Sequence, residues 1–249
     1  MKQALIRILT RAVWLAAANV AATVVAASAT ASPLDSIESL NQAQFDDFAR
    51  EFGAATHYKS VSPSEPLGSL GFDIGLRVSS TDIDGDLFDL ASSGDFDGTE
   101  LIIAGISVHK GLILGLDIGA SLSLIPGVDD ATLLGAELRY NIVEGNVAVP
   151  SVGLRASHSI MQGVDELDLQ STALELGISK GFLFATPYAG VGIVSTELDA
   201  VNVDSLSSTR DEQRKLFVGA TINLGLAITL EADQTGDTRT YTAKAGIRF

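Results

Sequence analysis

The sequence predicts an all-β fold, an antiparallel transmembrane β-barrel of ten strands with a short N-terminal helix. Three observations carry this prediction. Apolar and polar residues alternate over long stretches of the 249-residue chain, of which 46% is hydrophobic. The stretches reach the ~9–11 residues of a membrane strand, whereas soluble strands average ~5–6. No further element of the chain could cover ten apolar faces, so lipid is the solvent that fits them.

The overall composition excludes several classes of function. The chain contains no Cys, which excludes a disulfide scaffold and thiol chemistry. Its formal net charge of −15 argues against a nucleic-acid-binding surface, which needs clustered Lys and Arg.

Residues 1–31 have the features of a signal peptide. Lys2, Arg7 and Arg11 form a basic start, an uncharged stretch rich in Ala and Val follows, and 29–31 reads Ala-Thr-Ala. This order of segments predicts cleavage before Ser32. A retained membrane anchor is the alternative, because the uncharged stretch approaches the ~20 residues of a spanning helix.

Residues 32–65 predict an N-terminal periplasmic helix and a linker. Apolar residues recur at helical spacing between positions 34 and 52, Gly53 is expected to end the helix, and Pro63 lies in the linker. We expect the helix to pack against the main domain. A plug in the lumen and a helix on the membrane surface are the alternatives.

The barrel is predicted to occupy residues 66–249, where the period changes to two. The strands are expected at 67–79, 100–109, 112–124, 132–142, 147–160, 170–180, 183–194, 214–224, 226–232 and 240–249. Their apolar faces are predicted to face lipid and their polar faces the interior. This parity directs the following charged residues inward: Asp73, Arg77, Asp117, Glu137, Arg139, Arg155, Glu175, Glu231, Lys244 and Arg248. Their mixed signs predict a salt-bridged interior, and a narrow pore for small solutes is the alternative.

The predicted connections alternate between short and long. Short ones contain Gly111, Gly145, Gly181 and Gly225, and long ones are expected at 80–98, 126–131, 161–168, 196–212 and 232–237. Short periplasmic turns and long external loops are typical of outer-membrane barrels. The five long segments contain 18 acids and one base, Arg210. They therefore predict an acidic external face, where divalent cations would bridge the loops to lipopolysaccharide phosphates.

The C-terminus carries a resemblance to a known class. The segment from Tyr241 to Phe249, with Ile247 two residues before its end, resembles the assembly signal of Gram-negative outer-membrane proteins, although Lys244 stands where Gly is usual. The segments 66–75 and 179–192 also resemble an uncharacterised group of small proteobacterial barrels. The resemblance implies location in the outer membrane and recognition by the barrel-assembly machinery, and it implies no particular activity.

Candidate chemistry is sparse. His158 lies beside Ser157, but parity turns the two residues to opposite faces, so an acyl hydrolase at the barrel rim is a minor alternative. Asp82, Asp84 and Asp86 alternate as calcium ligands could, although Gly85 does not fit the helix-loop-helix calcium pattern. We therefore predict a non-enzymatic barrel, without catalytic residues or a cofactor, that contacts outer-membrane lipid, lipopolysaccharide or an external partner.

Overall fold

The structure is a closed barrel of ten antiparallel strands. A computed structural model describes residues 34, 36–92, 96, 98–126, 128 and 131–249, so the predicted signal peptide 1–31 lies outside the described residues. Each strand pairs with its neighbours in sequence, and the first pairs with the last. The strands are β1 Phe72–Asp82, β2 Glu100–Gly111, β3 Leu116–Leu124, β4 Thr132–Val143, β5 Ser151–Gln162, β6 Leu167–Ser179, β7 Ala185–Ala200, β8 Thr209–Asn223, β9 Ala227–Thr235 and β10 Thr238–Arg248. The predicted fold class is confirmed.

The seam between β1 and β10 is closed by the last residue of the chain. The Phe72 N–H donates to the Phe249 carbonyl at 2.8 Å, and the Phe249 N–H donates back to the Phe72 carbonyl at 3.0 Å. Their rings lie 5.8 Å apart. Tyr241, Ile247 and Phe249 are exposed on the outer face. The C-terminal segment is thus a wall strand that presents its apolar side to the surroundings.

The outer face of the wall is apolar around the barrel. Large apolar side chains are exposed on strand after strand, among them Leu76, Leu138, Leu176, Leu216 and Leu230. Such a surface is stable in contact with lipid, and barrel closure leaves no unpaired strand edge there. These features make the chain an outer-membrane β-barrel.

The connections differ from the predicted alternation of short and long. We call the end at which β1 begins and β10 ends the base, and the opposite end the loop end. The loop-end connections are 83–99, 125–131, 163–166, 201–208 and 236–237, and the base connections are 112–115, 144–150, 180–184 and 224–226. The long loop predicted at 232–237 is wrong, because Gly236, with a φ of 59°, and Asp237 form a tight turn between paired strands.

Several strands extend beyond their predicted ends. The apolar-out pattern that defined those ends stops near the loop end, because the polarity of the two wall faces inverts there. There the inward residues are apolar and buried, as at Leu101, Leu133 and Leu198. Outward residues such as Glu100 and Asp168 are polar and exposed. Many acids assigned to loops therefore belong to the outer faces of strands that continue past the apolar band.

The N-terminal region forms a 3-10 turn at Ile37–Ser39 and a helix, α1, at Gln42–Thr56. Asn41 and Gln44 cap α1 reciprocally, each side chain accepting a bond from the other's backbone N–H. The helix passes through Gly53, the predicted stop, because this residue meets the wall there. A Cβ at Gly53 would lie 2.5 Å from Thr196 Oγ1. A second helix, α2, spans Gly85–Ala91 in the β1–β2 connection.

Helix α1 lies inside the loop end of the barrel and packs against β7, β8 and β10. Phe45, Phe48 and Phe52 are fully buried, and the Phe48 ring lies 4.8 Å from the ring of Phe88 on α2. The helix was expected to pack against the main domain, and its position inside the barrel corresponds to the plug alternative. The physical reason is the inverted polarity, which gives the helix an apolar inner wall. In the described residues, neither helix has the length and apolar character needed to cross a membrane.

We expect Phe48→Ala to lower the free energy of unfolding by ~3–5 kcal/mol, because it leaves a cavity in the apolar cluster. The measurement is the urea dependence of heat-modifiable gel mobility in detergent. Leu90→Ala is the control, since Leu90 is exposed at the same end of the barrel. Equal losses in the two variants would contradict the packing described.

Candidate functional site: the plugged lumen

The lumen is occupied by the chain's own N-terminal region. Residues 57–66 run from the end of α1 at the loop end to the base, where β1 begins, and we call residues 42–66 the plug. Every residue from His57 to Ser64 is buried. The segment has few large apolar side chains, so its burial depends on polar contacts with the wall.

The ten charged residues that parity directed inward all lie inside the barrel. Nine are buried, and the Arg248 side chain is 13% exposed at the base. Successive side chains on a strand face opposite sides of the sheet, so the sequence alone can predict which residues face inward.

At the base, a carboxylate pairs with two bases of β10. Asp73 accepts from Lys244 Nζ at 3.0 Å and from the Arg248 guanidinium at 3.0 Å. Arg248 also donates to the Glu65 carbonyl of the plug at 3.3 Å. Asp117 accepts from the backbone N–H of Leu67 at 3.2 Å. The start of β1 is thus held on both sides by charge-assisted bonds, which are stronger than neutral ones.

In the middle of the lumen, two arginines bind the plug backbone. Arg139 donates to the Ser62 hydroxyl at 3.0 Å and to the Pro63 carbonyl at 3.1 Å. Arg155 donates to the Ser62 carbonyl at 2.9 Å and to Glu175 at 3.1 Å. The same arginines therefore pair with wall carboxylates and bond to plug carbonyls.

The wall carboxylates in this region have further partners. Arg139 lies 2.9 Å from Glu137, and Lys215 lies 2.7 Å from Glu175. His109 Nε2 is 3.5 Å from Glu137. Buried ionised groups are stable only when they are paired and hydrogen-bonded, and this arrangement supplies partners of opposite sign.

Below α1, a buried lysine of the plug pairs with the wall. Lys59 Nζ lies 3.2 Å from Asp233 and donates to the Ala54 carbonyl at 3.1 Å. Arg77 donates to the Lys59 carbonyl, and Tyr58 Oη is 3.0 Å from His109 Nε2. Lys59 thus ties the end of α1 to β9.

At the mouth of the lumen, α1 bonds to the β7–β8 connection and the start of β8. Asp46 accepts from Thr209 and Gln42, and these hydrogen bonds lower the pKa of the Asp46 carboxyl below its usual value of 3.8. Glu51 accepts from the Asp84 backbone N–H at 2.7 Å, and burial raises the pKa of Glu51. The mouth is closed by polar contacts around the apolar cluster.

Little space remains beside the lower part of the plug. A cavity lined by Ser64, Asp117, Arg139 and Arg155 holds about 10 Å³, roughly the room that one water needs. A larger open crevice of about 330 Å³ lies at the mouth between α1 and α2. The polar path predicted for a pore is therefore filled by the chain itself.

The remaining candidate residues are placed differently. His158 is exposed on the outer face and bonds to Thr172 at 2.9 Å, whereas Ser157 is buried inside, so the two form no nucleophile–base pair. Asp84 caps α2 by accepting from the Asp86 and Leu87 backbone N–H groups. Among the described residues, no group of three or more His, Cys, Asp or Glu is arranged to hold a metal ion.

Several lumen residues did not emerge from the sequence. Lys59 lies on a segment predicted to be a linker, and Asp233 on one predicted to be a loop. His109, the last residue of the predicted strand 100–109, is fully buried in the lumen on β2. Lys215 could have been found by continuing the alternation of β8, because it is two residues from the inward Phe217.

Comparisons with known proteins give likeness of fold. No family model matches the chain, and no curated protein matches it. A solved structure of the KdgM porin in complex with disordered oligogalacturonate has a TM-score of 0.37 and 10% identity, covering 71% of this chain and 99% of the porin. The outer-membrane protease OmpT of Escherichia coli has a TM-score of 0.36 and 9% identity, covering 72% and 95%. The N-terminal barrel domain of Pseudomonas aeruginosa OprF has a TM-score of 0.34 and 12% identity, covering 71% and 97%.

We expect Lys59→Met to lower the free energy of unfolding by ~3–5 kcal/mol, because Asp233 is then left buried without its counter-charge. The double variant Lys59→Met/Asp233→Leu should recover most of this loss, since neither charge remains. Urea titrations of gel mobility would measure both. A double variant no more stable than Lys59→Met would show that the ion pair does not hold the plug.

Proposed function

We propose that the chain is a closed, non-enzymatic outer-membrane barrel that presents α1 and the loop end at the cell surface. The single observation that carries this proposal is the filled lumen. Arg77, Arg139 and Arg155 of the wall bind plug carbonyls where a pore would need open water. The separation of Ser157 from His158 by the wall supports a role without hydrolysis.

The proposed orientation places the loop end outside and the base in the periplasm. Two features support this orientation. The start of β1 and the end of β10 both lie at the base, and the polar outer faces of the strands lie at the loop end. In this orientation the exposed acids at the mouth, such as Asp47 and Asp86, face lipopolysaccharide, where divalent cations would reduce the repulsion. The C-terminal strand would be the segment that the barrel-assembly machinery contacts.

A small passive pore is the competing function. It would require the plug to leave the lumen, which would strip Lys59 from Asp233 and the wall arginines from their carbonyl partners. Because buried charges without partners are costly, the closed state is favoured at equilibrium.

We expect the refolded mature protein to show no regular conductance steps in planar bilayers. A variant lacking residues 34–65 should conduct, because its lumen would be lined by uncovered charges, and heat-modifiable mobility would establish that it has folded. Regular steps in the intact protein, altered by Arg77→Ala or Glu137→Gln, would refute the closed barrel and favour the pore.

We expect a cysteine at Glu38 to react with a membrane-impermeant maleimide on intact cells, since this exposed residue precedes α1 at the loop end. The native chain has no Cys, so the label reports one site. Val147→Cys, in an exposed base connection, is the matched control and should react only after the outer membrane is permeabilised. The reverse pattern would overturn the proposed orientation.

A further inference from the structure

Among the residues that the structure describes, the outward bases of the loop half of the wall lie on two strands. Arg210 and Arg214 are exposed on β8, and Arg239 is exposed on β10. On other strands at this level, the outward charged residues are acids, such as Glu100 on β2 and Asp168 on β6. A local basic patch therefore interrupts an otherwise acidic rim.

Arg214 and Arg239 stand directly above the apolar band. On β8, Leu216 follows Arg214 on the same face, and on β10 Tyr241 follows Arg239. Both apolar neighbours are more than half exposed, Leu216 at 60% and Tyr241 at 57%. The two guanidiniums thus lie at the boundary between the hydrocarbon and headgroup levels.

Neither arginine is neutralised by the protein. Among the described residues, the salt bridges and side-chain hydrogen bonds include no partner for Arg214 or Arg239. The nearest exposed acids are Glu212 on β8, Asp237 in the β9–β10 turn and Asp82 at the end of β1, and the described ion pairs join none of them to Arg214 or Arg239. An unpaired guanidinium at this level has its hydrogen-bond donors free for a ligand.

Each arginine lines one groove in the outer surface of the wall. The smaller groove, about 190 Å³, runs over Ala232 between Val218 and Tyr241, and Arg239 lies among its lining residues. It exists because Ala232 on β9 is small, while the flanking strands carry large side chains. The larger groove, about 630 Å³, is lined by Leu174, Val191, Ile193 and Leu216, and it includes Arg214.

We propose that these two grooves bind a phosphorylated acyl lipid of the outer leaflet, the lipid A part of lipopolysaccharide. Its acyl chains would occupy the grooves, and its phosphates would accept from Arg214 and Arg239. Guanidinium and phosphate match in geometry and form charge-assisted bonds. Strands β8 and β10 are separated by β9 alone, and the register places Arg239 level with Leu216, two residues from Arg214. The backbones of the two arginines are therefore ~12 Å apart, a spacing that suits a lipid with two phosphates. The assignment to this lipid rests on the proposed orientation.

The test is native mass spectrometry of the purified barrel in detergent, titrated with diphosphoryl lipid A. We expect Arg214→Gln and Arg239→Gln each to lower the affinity roughly tenfold, as loss of a charge-assisted bond implies. Arg210→Gln is the matched control and should bind like the native protein, because this outward arginine lies on β8 beyond both grooves. Ala232→Leu should weaken binding by filling the smaller groove without changing charge.

Three results would overturn the proposal: equal losses in Arg210→Gln and Arg214→Gln, equal affinity for a dephosphorylated lipid of the same acyl composition, or equal affinity for phosphatidylglycerol. The first and third would indicate general attraction of anionic lipid to the basic patch. A reversed labelling pattern of the surface cysteines, together with selective binding of lipid A in detergent, would refute the orientation and leave the groove chemistry intact. Failure of the proposed function and failure of the lipid site are therefore distinguishable.

Discussion

The structure depends on the pairing of buried acidic and basic side chains inside the closed lumen. A guanidinium carries five donors, and the wall carboxylates alone do not use those of Arg77, Arg139 and Arg155. The carbonyl groups of Lys59, Ser62 and Pro63 provide further acceptors. The plug therefore supplies hydrogen-bond acceptors that the charged wall needs. This requirement explains why a serine-rich segment lies at the centre of the barrel.

This dependence constrains how the barrel closes. At the base, an ion-pair cluster crosses the seam, because Asp73 lies on β1 while Lys244 and Arg248 lie on β10. Arg248 joins this cluster to the plug by donating to the Glu65 carbonyl. The chain passes down the lumen before β1 begins, and the seam closes at Phe72 and Phe249 around it. A barrel that closed first would have to admit α1, with its three buried phenylalanines, through an already formed polar lumen. Closure around the plug avoids that step.

The sequence was informative wherever a rule was local. Period-two alternation predicted ten strands, and its parity directed Glu137 and Arg155 inward, because neighbouring residues on a strand face opposite sides. The sequence offers a plug only as an alternative, since Ser62 and its neighbours have the composition of an exposed linker. Their burial follows from arginines far along the chain, at positions 139 and 155. The predicted helix stop at Gly53 is wrong for the same reason, because the close neighbour of Gly53, Thr196, is distant in sequence.

The inversion of polarity along the wall accounts for the remaining differences. Near the base, the wall is apolar outside and charged inside, as at Leu138 and Arg139. Near the loop end it is polar outside and apolar inside, as at Asp168 and Leu169. The apolar-out pattern ends where this change occurs, so the sequence predicts loops for the outward acids beyond it. The plug follows the same division, with the phenylalanines of α1 against the apolar part and the serine-rich segment against the charged part. The barrel therefore has an apolar outer face and a charged lumen near the base, and a polar outer face and an apolar interior near the loop end. The N-terminal region packs against both parts of the interior.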